Sequence, residues 1–233
     1  MYLFNEKDLK NYLNNDFVYE TVSKKSDFFG CSYNQWLLKS PQKRYIFSRI
    51  YGDLIESTGK KVLDIGGGLS NYSQIFDSIH DYLLIDSLDH DNLVEVHMAT
   101  DKDYGIPINK ILDDWYYYNT EKVWDVIIAN DIFPNVDQRL GIFLDKFLPV
   151  CKEIRMSLTF YEGKFYRAKR IDADEVFTVL MWDESILFYF LEKYMNKIFD
   201  YNPSGSCSYD NQSIFDNGRQ VKYVIFKGKF FEE

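Results

Sequence analysis

The chain has 233 residues, of which 46% are hydrophobic and 27% charged, and its formal net charge is −9 at pH 7. This length fits one α/β domain with an extension and can bury a sizeable core. The negative charge and the lack of a dense Lys/Arg tract argue against nucleic acid as the main partner, because binding a run of phosphates requires clustered cations.

Sequence features bearing on location favour the cytoplasm. The first residues resemble neither the basic nor the long apolar part of a signal peptide, and no stretch approaches the roughly 18 apolar residues of a membrane span. The sequence does not indicate an oligomeric state. Widely spaced cysteines without a CxxC pair predict free thiols in a reduced compartment: Cys31, Cys151 and Cys207.

The first 40 residues differ in pattern from the rest of the chain. Residues 1–40 mix polar and aromatic side chains without a clean period, which predicts an N-terminal cap of one or two short helices before a main domain at 41–233. Ser40 and Pro41 mark a helix start, since serine caps helices and proline suits the first helical position. Apolar residues at four-residue spacing continue that helix: Ile46, Ile50 and Leu54.

Three short apolar runs then predict buried parallel strands. The strands are expected at Lys61–Ile65, Tyr82–Asp86 and Trp124–Asn130, with helices at Asn71–Ile79 and Gln138–Leu148. This alternation of strand and helix is typical of a doubly wound α/β fold with a mostly parallel, Rossmann-like sheet.

The C-terminal third predicts further strands around an insertion. A strand at about Glu153–Phe160 precedes an irregular insertion at about 161–182, which has the features of an added strand or a lid. Asp183 can cap the following helix. An Asn-Gly turn at 217–218 then precedes alternating residues over 221–229, which predicts an antiparallel hairpin at the edge of the sheet.

A glycine-rich loop follows the first predicted strand. Glycines let a backbone turn sharply and approach a ligand, and a carboxylate at the strand end can reach an amino-acid ammonium group. The segment Val62-Leu-Asp-Ile-Gly-Gly-Gly68 resembles motif I of class I methyltransferases that use S-adenosylmethionine (SAM). The family commonly has a further glycine where Ser70 stands. The resemblance implies cofactor binding by this group: Asp64, Gly66, Gly67, Gly68 and Ser70.

Acidic residues follow at the end of the second predicted strand and about ten residues before the third. Asp86 ends the second apolar run, where SAM and dinucleotide enzymes both use an acidic side chain to bind ribose hydroxyls. Asp114 and Trp115 resemble the family's adenine-binding segment, with Asp113 fitting nearly as well. The resemblance implies that these residues hold the adenosine part of the cofactor.

The pair Asn130-Asp131 resembles the residues that lie beside the transferred methyl in this family. Many relatives continue with a Leu-Glu-His-like triplet, whereas this chain has Phe133-Pro134-Asn135. We therefore expect Asn130 to line the cofactor pocket, and Asp131 is the first candidate for the base that takes a proton from a hydroxyl acceptor. Because four motifs occur in order over about residues 60–160, the resemblance implies a SAM-dependent methyltransferase with a seven-stranded sheet.

Recognition of the methyl acceptor is expected from the cap and the insertion. The chain faintly resembles methyltransferases of bacterial surface-polysaccharide clusters, which implies a small polar acceptor such as a sugar, a sugar nucleotide or another metabolite. The short basic groups at 42–44 and 164–170 could each hold one anionic group of such an acceptor. Candidate acceptor contacts are Tyr33, Trp36, Arg44, Tyr161 and Arg167.

Two alternative functions stay open. The spacing Gly66-x-Gly68 is also found in dinucleotide loops of NAD(P)-dependent oxidoreductases, although Asn71 stands where such a loop needs a third glycine. The missing histidine after Asp131 would suit a catalytically inactive SAM-binding protein. No metal site is predicted, because the spacing of the three histidines matches no metal-binding motif: His80, His90 and His97.

Overall fold

A computed structural model of the protein describes residues 1–88, 91, 108–161, 165–169, 176–199 and 213–232. Residues 165–169 and 176–180 are described by their backbone. The sequence predictions for His90, His97, Lys164 and Cys207 fall outside these ranges. Within them, no helix combines the length and apolar character needed to cross a membrane.

The N-terminal region contains one strand, three short α-helices and a 3₁₀ turn at Leu13–Asn15. Two helices start at side-chain caps, since Asn5 accepts a hydrogen bond from the backbone N–H of Asp8, and Asp16 accepts one from that of Tyr19. The sequence prediction of one or two helices was therefore wrong in number. The elements are β1 (Tyr2–Leu3), α1 (Glu6–Tyr12), α2 (Phe17–Val22) and α3 (Ser32–Lys39).

The remaining elements alternate largely as predicted. Ser40 caps the next helix and Pro41 takes its first position. The chain then runs through α4 (Pro41–Glu56), β2 (Lys61–Ile65), α5 (Asn71–Ile79), β3 (Asp81–Ile85), β4 (Lys110–Ile111) and β5 (Trp124–Ala129). It continues with α6 (Leu140–Phe147), β6 (Cys151–Phe160), β7 (Phe165–Lys169), β8 (Val176–Leu180), α7 (Glu184–Leu191) and β9 (Gln220–Lys227).

Seven strands form one sheet in the order β1-β9-β6-β5-β2-β3-β4. Strands β6, β5, β2, β3 and β4 pair in parallel, while β9 runs antiparallel to both of its neighbours. This confirms the predicted fold class, a doubly wound, mostly parallel, Rossmann-like sheet with an antiparallel edge. The outermost strand of that edge comes from the N terminus, where Tyr2 pairs with Tyr223 and Leu3 with Lys222.

The insertion forms a separate antiparallel pair of strands. β7 and β8 pair with each other outside the main sheet. The chain then enters α7, where Asp183 acts as the N-cap and accepts a hydrogen bond from the backbone N–H of Ile186. The predicted cap of this helix is therefore confirmed.

Both faces of the sheet are buried, which gives three layers. One face packs against α1–α5, and the other against α6 and α7. Side chains alternate between the two apolar clusters along β3, where Leu84 belongs to the first cluster and Leu83 to the second. Residues of the cap share the first cluster with the sheet: Phe4, Leu9, Val18, Val22 and Phe28.

Candidate functional site

A cleft of about 880 Å³ opens at the carboxyl ends of β2, β3 and β5. The strand order changes direction between β2 and β5, and open α/β sheets bind ligands at such a switch point. The volume of the cleft lies in the usual range for small-molecule sites, roughly 300–1,000 Å³. Its walls include the loops after these strands, parts of α3 and α4, and the residue before β9.

The glycine loop after β2 forms one wall of the cleft. Gly66 and Gly68 have φ angles of +66° and +62°, a backbone conformation that favours glycine. A Cβ on Gly66 would overlap the side chain of Ile132, and one on Gly68 would lie 2.5 Å from the Cβ of Tyr33. The loop therefore presents bare backbone to the cleft, as a close approach to a ligand requires.

Asp86 fixes the glycine loop from the end of β3. Its carboxylate accepts hydrogen bonds from the backbone N–H groups of Gly68, at 3.0 Å, and Leu88, at 2.8 Å. Asp86 also lines the cleft. The structure thus places an oriented carboxylate where the sequence predicts a ribose-binding residue.

Asp64 lies behind the loop and is absent from the cleft lining. Its buried carboxylate accepts hydrogen bonds from the hydroxyls of Tyr51, at 3.0 Å, and Tyr82, at 2.9 Å. Burial raises the pKa of Asp64 to about 7, although these hydrogen bonds lower it. A Cβ on Gly67 would overlap this carboxylate, and Ser70 caps α5. Asp64, Gly67 and Ser70 are therefore absent from the cleft lining, and they support the glycine loop and the start of α5.

Trp115 and Asp114 line the opposite end of the cleft. The indole N–H of Trp115 donates to Asp137 at 2.9 Å, and the Arg139 guanidinium lies 4.8 Å from the indole centroid. Arg139 also pairs with Asp114, at 2.7 Å, and with Asp137, at 2.6 Å. Asp113 lines the same region. The predicted adenine-binding residues therefore reach the cleft, with Asp114 in an ion pair that the sequence did not indicate.

Asn130 joins the cap to the sheet at the end of β5. Its Nδ2 donates to the hydroxyl of Tyr33 at 3.1 Å, and its Oδ1 accepts from the hydroxyl of Ser157 at 2.7 Å. The backbone N–H of Asp131 donates to the same Ser157 oxygen at 2.8 Å. Ser157 thus orients both residues of the predicted methyl-site pair.

Asp131 is held between two cations. Its carboxylate lies 2.8 Å from Nζ of Lys43 and 3.2 Å from Nη1 of Arg219. Burial alone would raise the pKa of Asp131, but the charges of Lys43 and Arg219 outweigh that effect and lower the pKa to about 2. An acid this strong is a weak proton acceptor at neutral pH. The arrangement therefore favours an electrostatic role for Asp131 over the predicted role of general base.

The predicted acceptor contacts divide into three groups. Tyr33 and Trp36 line the cleft. Arg44 does not, because its guanidinium is buried against Asp16, at 2.8 Å, and against backbone carbonyls of α3. Tyr161 is likewise absent from the lining, and the side chain of Arg167 lies outside the described part of the structure.

Sequence reasoning missed Arg219 and Arg139, and it noted Lys43 only as part of a basic group. A signal for Arg219 was present. A strand antiparallel to its neighbour begins at the edge where that neighbour ends, and Gln220 at the start of β9 pairs with Phe160 at the end of β6. The residue before β9 therefore lies at the carboxyl edge of the sheet.

His80 is the histidine that lies within the described residues, and it has a packing role. His80 is buried, its Nδ1 accepts from the backbone N–H of Lys60 at 3.3 Å, and its Nε2 lies 2.9 Å from the carbonyl oxygen of Leu54. Among the residues that the structure describes, no group of three or more potential metal ligands occurs.

Comparisons with known proteins identify the fold. No family model matches the sequence, and no curated protein matches it. The DhpI–SAH complex has a TM-score of 0.50 and 12% identity, over 95% of this chain and 97% of that chain. The N-terminal domain of EvdMO1 with SAH bound has a TM-score of 0.51 and 12% identity, over 93% and 97%.

A third solved structure is more distant. Magnesium protoporphyrin IX methyltransferase from Synechocystis PCC 6803 with bound SAM has a TM-score of 0.47 and 10% identity, over 95% of this chain and 96% of that chain. At these identities the likeness concerns the fold. The chain has the Rossmann-like fold of class I SAM-dependent methyltransferases.

Proposed function

We propose that the chain is a methyltransferase that uses SAM as methyl donor and a small molecule as acceptor. One observation carries this proposal. A single cleft at the switch point of the sheet brings together the glycine loop, Asp86, Trp115 and the Asn130-Asp131 pair. The motifs that resemble those of SAM enzymes are far apart in sequence, and the fold that joins them also occurs in proteins solved with SAH.

The residues of the cleft suit the parts of the cofactor. Gly66 and Gly68 offer close backbone approach to the amino-acid part, and Asp86 offers a carboxylate to the ribose hydroxyls. Trp115 and its neighbours form a wall for the adenine. When bound, SAM supplies a methyl group on a sulfonium leaving group. The chain's own task is then to hold the acceptor atom in line with that methyl and to exclude water.

The acceptor we propose is a small polar molecule. The half of the cleft nearest β9 supports this proposal, because it is lined by both aromatic and charged or polar side chains: Trp36, Lys43, Asp131, Asn135 and Arg219. A sugar or sugar nucleotide, with a role in surface-polysaccharide biosynthesis in the cytoplasm, is proposed from the sequence resemblance alone.

Titration calorimetry with SAH tests the cofactor. We expect SAH to bind, and NAD and NADP not to bind. Gly68→Ala should weaken SAH binding at least about tenfold, since its Cβ would displace Tyr33 from the loop. Gly59→Ala is the matched control: Gly59 also has positive φ, at +74°, but nothing lies within 4 Å of the added Cβ. Binding of NAD instead of SAH would contradict the proposal.

Turnover distinguishes an enzyme from an inactive binding protein. The assay follows SAH release from SAM over a panel of small hydroxyl and amino compounds. Release that depends on an acceptor and is lost in Gly68→Ala is expected. SAH binding without release for any acceptor would support the inactive alternative.

A further inference from the structure

Two cations and one carboxylate share the part of the cleft nearest β9. Lys43 comes from α4 and Arg219 from the residue before β9, and both contact Asp131. Their side chains are only partly exposed, at 28% for Lys43, 11% for Arg219 and 21% for Asp131. One positive charge is therefore in excess within a partly desolvated group, where an unbalanced charge is costly.

Arg219 is a constrained cation rather than a solvated surface one. Its guanidinium lies 4.2 Å from the centroid of the Phe215 ring, which restricts the side chain on one side. Within the described residues, its buried Nε has no hydrogen-bond partner. A guanidinium has five N–H donors, and its planar fork matches carboxylate and phosphate oxygens. The Arg219 side chain thus retains the capacity to bind an anion in the cleft.

Lys43 stands beside an aromatic wall. Its Nζ lies 5.3 Å from the centroid of the Trp36 ring, and the Trp36 residue is 40% exposed. An aromatic face next to a cation suits a ligand that combines a flat or apolar body with a negative group.

These cations lie away from the proposed adenosine-binding half of the cleft. Lys43 and Arg219 both contact Asp131, which follows β5, whereas Asp86 follows β3, and two strand spacings separate these strands in the sheet. At roughly 4.8 Å per spacing, the two strands are about 10 Å apart. Acidic side chains outnumber Arg139 in the β3 half, while Lys43 and Arg219 outnumber Asp131 in the other half. The cleft is therefore electrostatically divided.

We propose that Lys43 and Arg219 bind an anionic group of the acceptor, a carboxylate or a phosphate, and that Asp131 holds the two cations in position. This inference rests on the proposed methyltransferase function and narrows its acceptor to anionic small molecules. A single negative group would balance the excess positive charge. The carboxylate of the cofactor itself has the same chemistry, so the experiment separates these two sources.

The test uses defined probes on the SAH-saturated protein. Phenyl phosphate and benzoate are compared with their neutral counterparts, phenol and benzamide, by ligand-observed NMR at millimolar concentration. We expect at least one anion to bind at least about tenfold more tightly than its neutral counterpart. Lys43→Gln and Arg219→Gln should each weaken that binding by a similar factor. The exposed residues Lys39 and Arg49 provide matched controls, Lys39→Gln and Arg49→Gln, which should bind like the unchanged protein.

Loss of binding in a variant can also result from misfolding, so a variant that is expected to bind more tightly provides an independent test. Asp131→Asn removes the competing negative charge but keeps a side-chain oxygen that can still accept hydrogen bonds from Lys43 and Arg219, so both cations stay in place and the variant should bind the anionic probes more tightly than the unchanged protein. Weaker binding in this variant would overturn the assignment of the two cations as an anion site.

SAH titrations of the same variants separate the two proposals. Failure of the unchanged protein to bind SAH would contradict the proposed function. SAH binding together with equal binding of anionic and neutral probes, or with anion binding unaffected in Lys43→Gln and Arg219→Gln, would overturn this inference alone. Loss of SAH binding in those two variants would also overturn it, because the cations would then hold the carboxylate of the cofactor.

Discussion

Asp64 is a buried carboxyl group whose protonation is linked to folding. Its pKa is raised by burial to about 7, despite the hydrogen bonds from Tyr82 and Tyr51. In the unfolded chain an aspartate has a pKa of about 3.9. Between these two values the folded protein binds more protons than the unfolded chain, so the free energy of unfolding falls as the pH rises. Above pH 7 the full cost of the buried charge is present.

Asp64→Asn removes this linkage and keeps the shape of the side chain. Between pH 5 and pH 8, we expect the unchanged protein to lose about 2–3 kcal/mol of unfolding free energy relative to this variant. Urea unfolding at the two pH values measures the difference. Asp27→Asn, at an exposed position, should follow the unchanged protein. A parallel pH dependence of Asp64→Asn and the unchanged protein would contradict the raised pKa.

The start of α5 joins the glycine loop to the first crossover helix. The Ser70 hydroxyl accepts from the backbone N–H of Ser73, and the Ser73 hydroxyl accepts from that of Ser70. Ser70→Ala should lower the unfolding free energy by about 1 kcal/mol, because it leaves a buried N–H without its cap. Ser78 lies exposed on the same helix, so Ser78→Ala should be neutral or slightly stabilising. Urea unfolding measures both variants. Equal changes in the unfolding free energy of Ser70→Ala and Ser78→Ala would contradict the capping role.

The two apolar clusters pack on opposite faces of one sheet, and the first cluster includes residues of the cap. The sheet therefore couples the cap to the rest of the molecule. Phe4 belongs to the first cluster, and its backbone N–H donates to Val221 in β9. Phe143 of α6 belongs to the second. We expect one unfolding transition, seen together by far-UV circular dichroism and tryptophan fluorescence. Phe4→Ala and Phe143→Ala should each cost about 3–5 kcal/mol and shift both signals together. A separate early transition in Phe4→Ala would show that the cap unfolds independently.

Local patterns were sufficient to predict most of the fold. The apolar run Lys61–Ile65, the helix Asn71–Ile79 and the Ser40-Pro41 helix start all appear as predicted, since each depends on neighbouring residues. The edge of the sheet was harder to predict. The short β1 pairs with β9 across more than 200 residues of chain, and two residues carry no periodic signal.

Tertiary structure decided which of the predicted acidic residues reach the cleft. Asp64 and Asp86 both stand at the ends of apolar runs in sequence. In the structure Asp64 still belongs to β2 and turns toward the core, whereas Asp86 follows β3 and reaches the cleft. Asp64 pairs with Leu84, so Asp86 lies two positions further along, beyond the paired part of the strands. The pattern of residues does not show where pairing stops.

The sequence by itself determined the doubly wound fold and the glycine loop that follows its first apolar strand. Only tertiary structure decided which cations enter the cleft. Lys43 and Arg44 are neighbours on α4, yet Lys43 contacts Asp131 and Arg44 is buried against Asp16. Successive helical residues point about 100° apart, so their roles depend on how the helix packs. Arg219 meets Asp131 across 88 residues of chain, and such a contact follows from strand order because no local pattern encodes it.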